Sequence, residues 1–269
     1  MFFSKYHGCG NHFIIIREEE ACLKDYSKLA KKVCDPSTGI GGDGFIVVRE
    51  DPLEMLFYNM DGTEAPMCGN GIRCFAHFCS DQGICNDPYF SVKTGSGTMH
   101  LEVTSREPFL VKVNMGKPEF SSQACAIGRE EEPFLHRNVG GQTVSSFFMG
   151  TVHTVIWTDE FAGWEALGEE ISNHPIYREK TNVNFALITG DDTATVKTYE
   201  RGVGPTQACG TGACAVAVLG WHERKFKSDV TIQLPCGNLI ISQGEDNDIF
   251  MKGPSHQIFT GTYRNKGEE

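Results

Sequence analysis

Two stretches carry residues that can do chemistry. Met67-Cys68-Gly69-Asn70-Gly71-Ile72-Arg73-Cys74 and Ala208-Cys209-Gly210-Thr211-Gly212-Ala213-Cys214 each read Cys-Gly-(Asn/Thr)-Gly and run into an apolar segment without proline. Glycine lacks the Cβ that keeps a backbone away from a ligand. A helix that starts there turns unpaired N–H groups and a partial positive charge toward whatever precedes it. That makes an anion site beside a thiol that loses its proton more easily. The chain has two such sites.

One thiolate can take a proton from a carbon acid while a second thiol returns one to the other face. The carbon then inverts. This requires two sulfurs on opposite sides of one tetrahedral centre, which one sulfur per half of a paired structure would supply. The α-proton of an amino acid is weakly acidic, so the developing carbanion needs electrostatic help. N–H groups at two helix starts, aimed at the α-carboxylate, provide it. The scheme needs no metal and no pyridoxal, and no glycine-rich fingerprint for a phosphate-bearing cofactor is present. No cofactor is therefore expected.

Zinc is the competing use of cysteine. Structural zinc prefers ligands two to four residues apart, and the gaps Cys68 to Cys74 and Cys209 to Cys214 fit poorly. Cys34, Cys79 and Cys125 read as small buried hydrophobes. Cys74 and Cys214 read the same way, one or two turns into apolar helices. Glu200-Arg201 could be a surface ion pair of little worth, but it sits at a strand end before Gly202-Val203-Gly204, which favours a site. His153 taken alone is an ordinary hydrogen-bonded histidine.

The elements that must position these residues follow from pattern. Alternating or β-rich runs predict strands at Phe2–Lys5, His12–Arg17, Phe45–Val48, Glu54–Tyr58 and Phe109–Val113. Further strands are predicted at Thr143–Phe148, Val152–Trp157, Val183–Ile188, Ala194–Tyr199, Asp248–Met251 and Gln257–Tyr263. Tyr89–Thr94 with Thr98–Val103, and Val230–Leu234 with Leu239–Ser242, read as hairpins with glycine-containing turns. Helices are predicted at Asp25–Cys34, Ile72–Cys79, Ala213–Trp221 and Asp159–His174, the last capped by Asp159. Ala213 to Leu219 leaves no polar stripe, so that helix must be surrounded by protein. Ser121–Glu132 is polar with little periodicity, and the charged tail is expected to fray.

The two halves echo each other. Cys68 precedes Gly97, and Cys209 precedes Gly237, by nearly the same interval, and each half closes on a similar turn, Met115-Gly116-Lys117-Pro118 or Met251-Lys252-Gly253-Pro254. A duplicated unit explains this. The expected fold is α+β: two pseudo-symmetric lobes, each a curved, mostly antiparallel sheet or barrel wrapped around a central helix. The lobes are expected at 1–112 plus 258–269, carrying Cys68, and at 113–257, carrying Cys209.

The 269 residues can bury a large core, and a net charge of −11 argues against nucleic acid or an anionic membrane surface as partner. No run of about 18 apolar residues suggests a membrane span. Met1 to His7 lacks the pattern of a signal peptide. Eleven cysteines in a chain without an export signal are expected to stay reduced in a cytosol. A small-molecule partner is expected, and a homodimer is compatible with the sequence.

The chain resembles the diaminopimelate epimerases, cofactor-independent epimerases with two catalytic cysteines. The resemblance runs through His7-Gly8-Cys9-Gly10-Asn11, Gly39-Ile40-Gly41, Asn59-Met60-Asp61-Gly62, the two Cys-Gly stretches, Thr181-Asn182-Val183-Asn184-Phe185 and Tyr199-Glu200-Arg201-Gly202. It implies that Cys68 and Cys209 are the base and acid pair. It implies that Asn70, with the backbones of Gly69, Gly210 and Thr211, holds the reacting carboxylate, and that Glu200 binds the ammonium. Asn11, Asn59, Asn182 and Arg201 would recognise the distal end of the substrate, with His153 close to the cysteine pair. The implied activity interconverts LL- and meso-diaminopimelate in lysine and peptidoglycan-precursor biosynthesis.

Three positions depart from the family pattern. His12 stands where Asp is usual, Gly42 precedes Asp43 in the glycine loop, and Thr151-Val152 replaces Asn-Pro before His153. A Thr hydroxyl is shorter than Asn and lacks its paired donor and acceptor. The alternatives are a broader cofactor-independent amino-acid racemase on the same fold, and a binding or zinc protein without catalysis.

Overall fold

Ile14, Ile15 and Ile16 follow one another without a polar break and are all buried. A strand that is apolar on both faces must be covered on both, and that requirement organises the first half of the chain. The structure is a computed structural model that describes residues 1–127 and 133–264. The strands in order are β1 (Phe2–Gly8), β2 (Asn11–Arg17), β3 (Gly44–Glu50), β4 (Leu53–Asn59), β5 (Glu64–Ala65), β6 (Tyr89–Thr94), β7 (Gly97–Arg106), β8 (Phe109–Asn114) and β9 (Arg137–Val139). They continue as β10 (Gln142–Phe148), β11 (Val152–Trp157), β12 (Asn182–Gly190), β13 (Thr193–Glu200), β14 (Gly204–Thr206), β15 (Val230–Leu234), β16 (Gly237–Gln243), β17 (Ile249–Pro254) and β18 (His256–Thr262). Among the described residues four α-helices join them: α1 (Tyr26–Cys34), α2 (Gly69–Asp81), α3 (Trp164–Ser172) and α4 (Gly210–His222).

The chain divides into two compact units, Met1–Val113 with Gly253–Glu269, and Asn114–Lys252. In the first unit β1 pairs antiparallel with both β18 and β2, β2 runs parallel to β3, and β3 is antiparallel to β4. A single parallel pair, Glu54 with Lys93, joins β4 to β6, and β7 and β8 follow antiparallel. Both parallel steps need a crossover, and α1 and α2 supply them. Asp25 caps α1 by accepting from the Lys28 N–H at 3.0 Å. Leu29, Ala30, Val33 and Cys34 of α1 pack on Ile14, Ile16, Phe45 and Val47. On the other face of the sheet lies α2, whose Gly71 sits against Phe13 and Ile46. Residues Asn70 to Ala76, with Phe78 and Cys79, are buried along α2.

The second unit repeats the plan. Strand β10 is antiparallel to β11, β11 parallel to β12, and β12 antiparallel to β13. Then β13 runs parallel to β15, and β16 and β17 close the row antiparallel. Helices α3 and α4 make its two crossovers. The short strands β5 and β14 hang from β4 and β13 at equivalent places. The expected two-lobe α+β fold with one buried helix per lobe is thus present, and the duplication is visible as one strand order used twice. Ala213 to Leu219 is buried throughout, as a helix without a polar stripe must be.

Several elements differ from expectation. Helices α2 and α4 begin at Gly69 and Gly210, earlier than predicted, because each cysteine side chain caps its own first turn. Helix α3 starts at Trp164 and is not capped by Asp159. Its cap is Gly163 in the left-handed region, φ 67°, with no side-chain hydrogen bond. The chain bends at Asp159 instead, where the Thr158 hydroxyl donates to the Glu160 carbonyl. Strands β5, β9 and β14 were not anticipated; two or three residues are too few for an alternating pattern. Part of the polar Ser121–Glu132 stretch and the charged tail lie outside the described residues. No helix among the described residues is long and apolar enough to cross a membrane.

Candidate active site

Each Cys-Gly stretch forms the same local structure. Cys68 is extended, φ −135° and ψ 123°, and its sulfur accepts from the Gly71 N–H at 3.5 Å. Cys209 is extended, φ −120° and ψ 108°, and its sulfur accepts from the Gly212 N–H at 3.4 Å. A sulfur in the N-cap position takes the place of the usual Ser or Asp oxygen. It therefore feels both a donated hydrogen bond and the positive end of the helix, two effects that favour the thiolate. Cys209 is 6 % exposed and Cys68 is half-buried. By contrast Cys34, Cys74 and Cys125 are sealed in the core, and burial pushes each thiol up to about 12. These three are packing residues, as expected, and so are the fully buried Cys79 and Cys214.

In the first unit, Asn11 and Asn70 gather at Cys68. Asn11 opens β2, and its Oδ1 stands 3.9 Å from the Cys68 sulfur and 3.4 Å from Asn70 Nδ2. Asn70, 3 % exposed, is the second residue of α2. Gly69 is the first, so its N–H is among those a helix leaves open. Asn59 ends β4, and its Nδ2 donates to the Thr63 hydroxyl at 3.0 Å. Two further residues belong here. Asp43 accepts from Asn11 Nδ2 at 2.8 Å and from the His12 N–H at 2.7 Å. Arg73 donates to Asn70 Oδ1 at 3.0 Å and to the Gly69 carbonyl at 2.9 Å. His12, where the family pattern has Asp, holds Asp43 through its backbone.

In the second unit Gly210 and Thr211 open α4 directly after Cys209, His153 is on β11, Asn182 begins β12 and Glu200 ends β13, with Thr151 and Arg201 just outside β11 and β13. The Thr211 hydroxyl lies 3.5 Å from the Cys209 sulfur. Gly150, at φ +73°, lets the chain turn tightly against the Thr211 methyl, which a Cβ would meet at 3.1 Å. Glu200, at the end of β13, accepts from the Thr206 hydroxyl at 2.7 Å. Burial holds its carboxyl above the ordinary range, and the Thr206 bond offsets part of that. Asn182 Oδ1 accepts from the Arg201 N–H at 2.9 Å, while the Arg201 guanidinium reaches the Glu179 carbonyl at 3.0 Å. Thr151 Oγ1 is buried with no hydrogen-bond partner among the described residues.

His153 is fully buried on β11. Burial, and next the nearby charge of Arg201, push its ring down to about 3, so it is neutral at any ordinary pH. Its tautomer follows from its neighbours. Asn184 Nδ2 donates to the Thr154 carbonyl at 3.2 Å, and Asn184 Oδ1 accepts from the Thr198 hydroxyl at 3.0 Å. The atom facing His153 Nδ1 at 3.1 Å is therefore the amide nitrogen, a donor. Nδ1 accepts, and the proton sits on Nε2, which has no partner among the described residues.

Sequence reasoning overlooked Arg73, Asp43, Asn184 and Thr206. Arg73 and Asn184 lay inside the motifs already singled out. The signal for Asn184 was the strand period, which puts it on the same face as Asn182. No local signal marks a buried arginine.

Comparison with known proteins bears on this geometry. The family model described as diaminopimelate epimerase matches residues 3–121 and 146–258. A diaminopimelate epimerase of Desulfitobacterium hafniense is 38 % identical over 96 % of this chain and 96 % of its own. One of Alkaliphilus metalliredigens is 38 % identical over 98 % of this chain and 97 % of its own. Among solved structures, a phenazine biosynthesis protein of the PhzF family from Bacillus anthracis superposes with a TM-score of 0.70 at 12 % identity, covering 97 % of this chain and 98 % of that one. A hydroxyproline epimerase from Agrobacterium vitis gives 0.68 at 12 % identity, covering 97 % and 91 %. At that identity the structures speak to the fold alone. The sequence relatives go further, since the family match spans both cysteine-capped helices and the relatives are 38 % identical over nearly the whole length: the chain belongs to the diaminopimelate epimerase family.

Proposed function

We infer that this chain is an isomerase, a diaminopimelate epimerase that interconverts the LL and meso forms by proton transfer at the α-carbon, in lysine and peptidoglycan-precursor biosynthesis. The observation that supports this best is the pair of helix N-caps made by sulfur. Each places a thiol at the positive end of a helix whose first turn is glycine-rich, so acid–base chemistry and carboxylate binding share one backbone feature.

In the proposed reaction one of Cys68 and Cys209, as thiolate, removes the α-proton, and the other, as thiol, delivers one to the opposite face. General acid–base catalysis of this kind contributes roughly 10²–10⁴-fold. Backbone N–H groups at Gly69, Gly210 and Thr211, with the Asn70 amide, stabilise the charge that develops on the carboxylate. Donors of this kind are worth about 10²–10³-fold each. Glu200 receives the α-ammonium, which relieves the cost of burying its carboxylate. Asn11, Asn59, Asn182 and Arg201 contact the distal end, and neutral His153 offers an Nε2–H donor. No cofactor or metal takes part. The reading places the enzyme in the cytosol, acting on a small molecule with no nucleic-acid partner; light scattering tests the homodimer.

The test is turnover of LL-diaminopimelate in deuterated water. Deuterium is expected at the α-carbon of the meso product, and Cys68→Ala and Cys209→Ala are each expected to lower epimerisation by at least ~10³-fold. Wild-type rates in either variant would remove the two-base reading. The orphaned Thr151 hydroxyl favours a second reading, a broader amino-acid racemase. Chiral analysis of a panel of amino acids decides it, and turnover of diaminopimelate alone would eliminate it.

A further inference from the structure

Arg73 is among the largest fully buried side chains of the described residues. A cation in the second turn of a helix runs against the helix dipole, and burying it adds a desolvation cost. What it holds explains its presence. Its Nη2 donates to Asn70 Oδ1 at 3.0 Å, its Nη1 to the Gly69 carbonyl at 2.9 Å, and its Nε to the Pro254 carbonyl at 3.3 Å. The Cys9 sulfur lies 3.7 Å from Nη2.

A guanidinium can only donate, and an ionised carboxylate can only accept. These two one-way groups stand at the ends of a short chain. Arg73 donates to Asn70, so the atom facing it must be the amide oxygen, and Asn70 turns its NH₂ the other way. Asp43 accepts from Asn11 at 2.8 Å, so the atom facing it must be the amide nitrogen, and Asn11 turns its carbonyl the other way. The two results agree, because Asn70 Nδ2 meets Asn11 Oδ1 at 3.4 Å. An amide is nearly the same shape in either direction, so packing alone does not choose between them. Reversing either amide here would set donor against donor or acceptor against acceptor.

We propose that Arg73 and Asp43 are positioning residues that fix the amide directions of Asn70 and Asn11, so that beside Cys68 the first presents a donor and the second an acceptor. A donor at Asn70 suits the carboxylate at the reacting carbon. An acceptor at Asn11 suits an ammonium at the far end of the substrate. The proposal rests on the epimerase reading above and assigns separate kinetic effects to the two residues: Arg73 acts on the chemical step through Asn70, and Asp43 acts on substrate recognition through Asn11.

The test measures kcat and KM for diaminopimelate in Arg73→Lys, Arg73→Met and Asp43→Asn, with melting temperatures, and repeats the Arg73 changes in an Asn70→Ala background and Asp43→Asn in an Asn11→Ala background. The expected result is a fall in kcat of roughly ten- to a hundredfold for Arg73→Met, the range one hydrogen bond to a charged group spans, with Arg73→Lys partly restored. Asp43→Asn is expected to raise KM with kcat changed by less than about threefold. Each loss should shrink to under about threefold once its asparagine is gone, the mark of coupled residues. Equal losses in both backgrounds, or lowered melting temperatures with unchanged kinetics, would overturn the proposal and reduce Arg73 to a brace between Gly69 and Pro254. A neutron structure of the wild-type protein gives an independent answer if the Arg73 variants fail to fold: deuterium on the Asn70 atom that faces Arg73 would also overturn it. If the wild-type protein does not epimerise diaminopimelate, the epimerase reading fails instead, and the neutron result still decides the amide directions.

Discussion

His153 shows how far one buried side chain is determined by its neighbours. The Thr154 carbonyl, which can only accept, makes the Asn184 nitrogen the atom that meets the ring, and burial keeps the ring neutral, with its titration moved from 6.5 down to about 3. The consequence for stability has a definite sign. Between those two values the unfolded chain binds a proton that the folded one does not, so this residue makes the protein lose stability as pH falls below about 6.5. His153→Asn keeps an acceptor for Asn184 but does not titrate. Urea unfolding is therefore expected to show the wild-type protein losing its advantage over His153→Asn as pH drops from about 7 to 4; a gap that stays constant would contradict the buried neutral ring. The cysteines were readable residue by residue, because glycine after each one announced a helix start. The partners that orient the asparagines were not, since Asp43 and Asn11, or Arg73 and Pro254, come together only by folding.

At the scale of elements, α4 is the most demanding. A helix buried along Ala213 to Leu219 has no solvent side to absorb an error in packing. Near its end, a Cβ on Gly220 would overlap the ring of Phe226, which is 3 % exposed and packs edge-on against Trp157 at 6.1 Å. Gly220→Ala is expected to destabilise the protein by about 1–3 kcal/mol, the usual cost of overpacking, read from the urea midpoint. A midpoint equal to wild type would mean that Phe226 moves freely. At the other end, a Cβ on Gly212 would overlap the Asn184 amide oxygen, which Thr198 holds in place. The second glycine of the motif is therefore required by the histidine network as well as by any ligand. The start of α3 was misread for a related reason. Asp159 is a good cap by type, but the chain bends at residues 158–160 and Gly163 caps a helix that begins at Trp164.

For the whole molecule, charge is the feature that acts at long range. The chain carries −11, while the proposed substrate has two carboxylates and two ammonium groups and is neutral overall. Screening at physiological salt acts over about 8 Å, so it weakens net attraction or repulsion far more than contacts inside a site. KM for diaminopimelate is expected to change less than about twofold between roughly 20 and 300 mM salt. A larger change would point to a substrate with net charge. The repeated strand order belongs to this scale too. An offset near 140 residues was visible from the motifs, and the pairings turned it into one topology used twice.

From sequence alone came the two glycine-rich helix starts beside Cys68 and Cys209, most strands, the burial of α4 and the family. All of these rest on residue type and short-range period, which neighbours in the chain express directly. Folding alone decided the parallel pairings of β2 with β3 and of β11 with β12, the proton on His153, and the directions of the Asn11 and Asn70 amides. Each of those depends on one polar group meeting another from a distant segment, as Arg73 meets the Pro254 carbonyl 181 residues away. A local pattern carries no record of such a meeting, because a buried polar side chain takes its state from the partners that desolvate it.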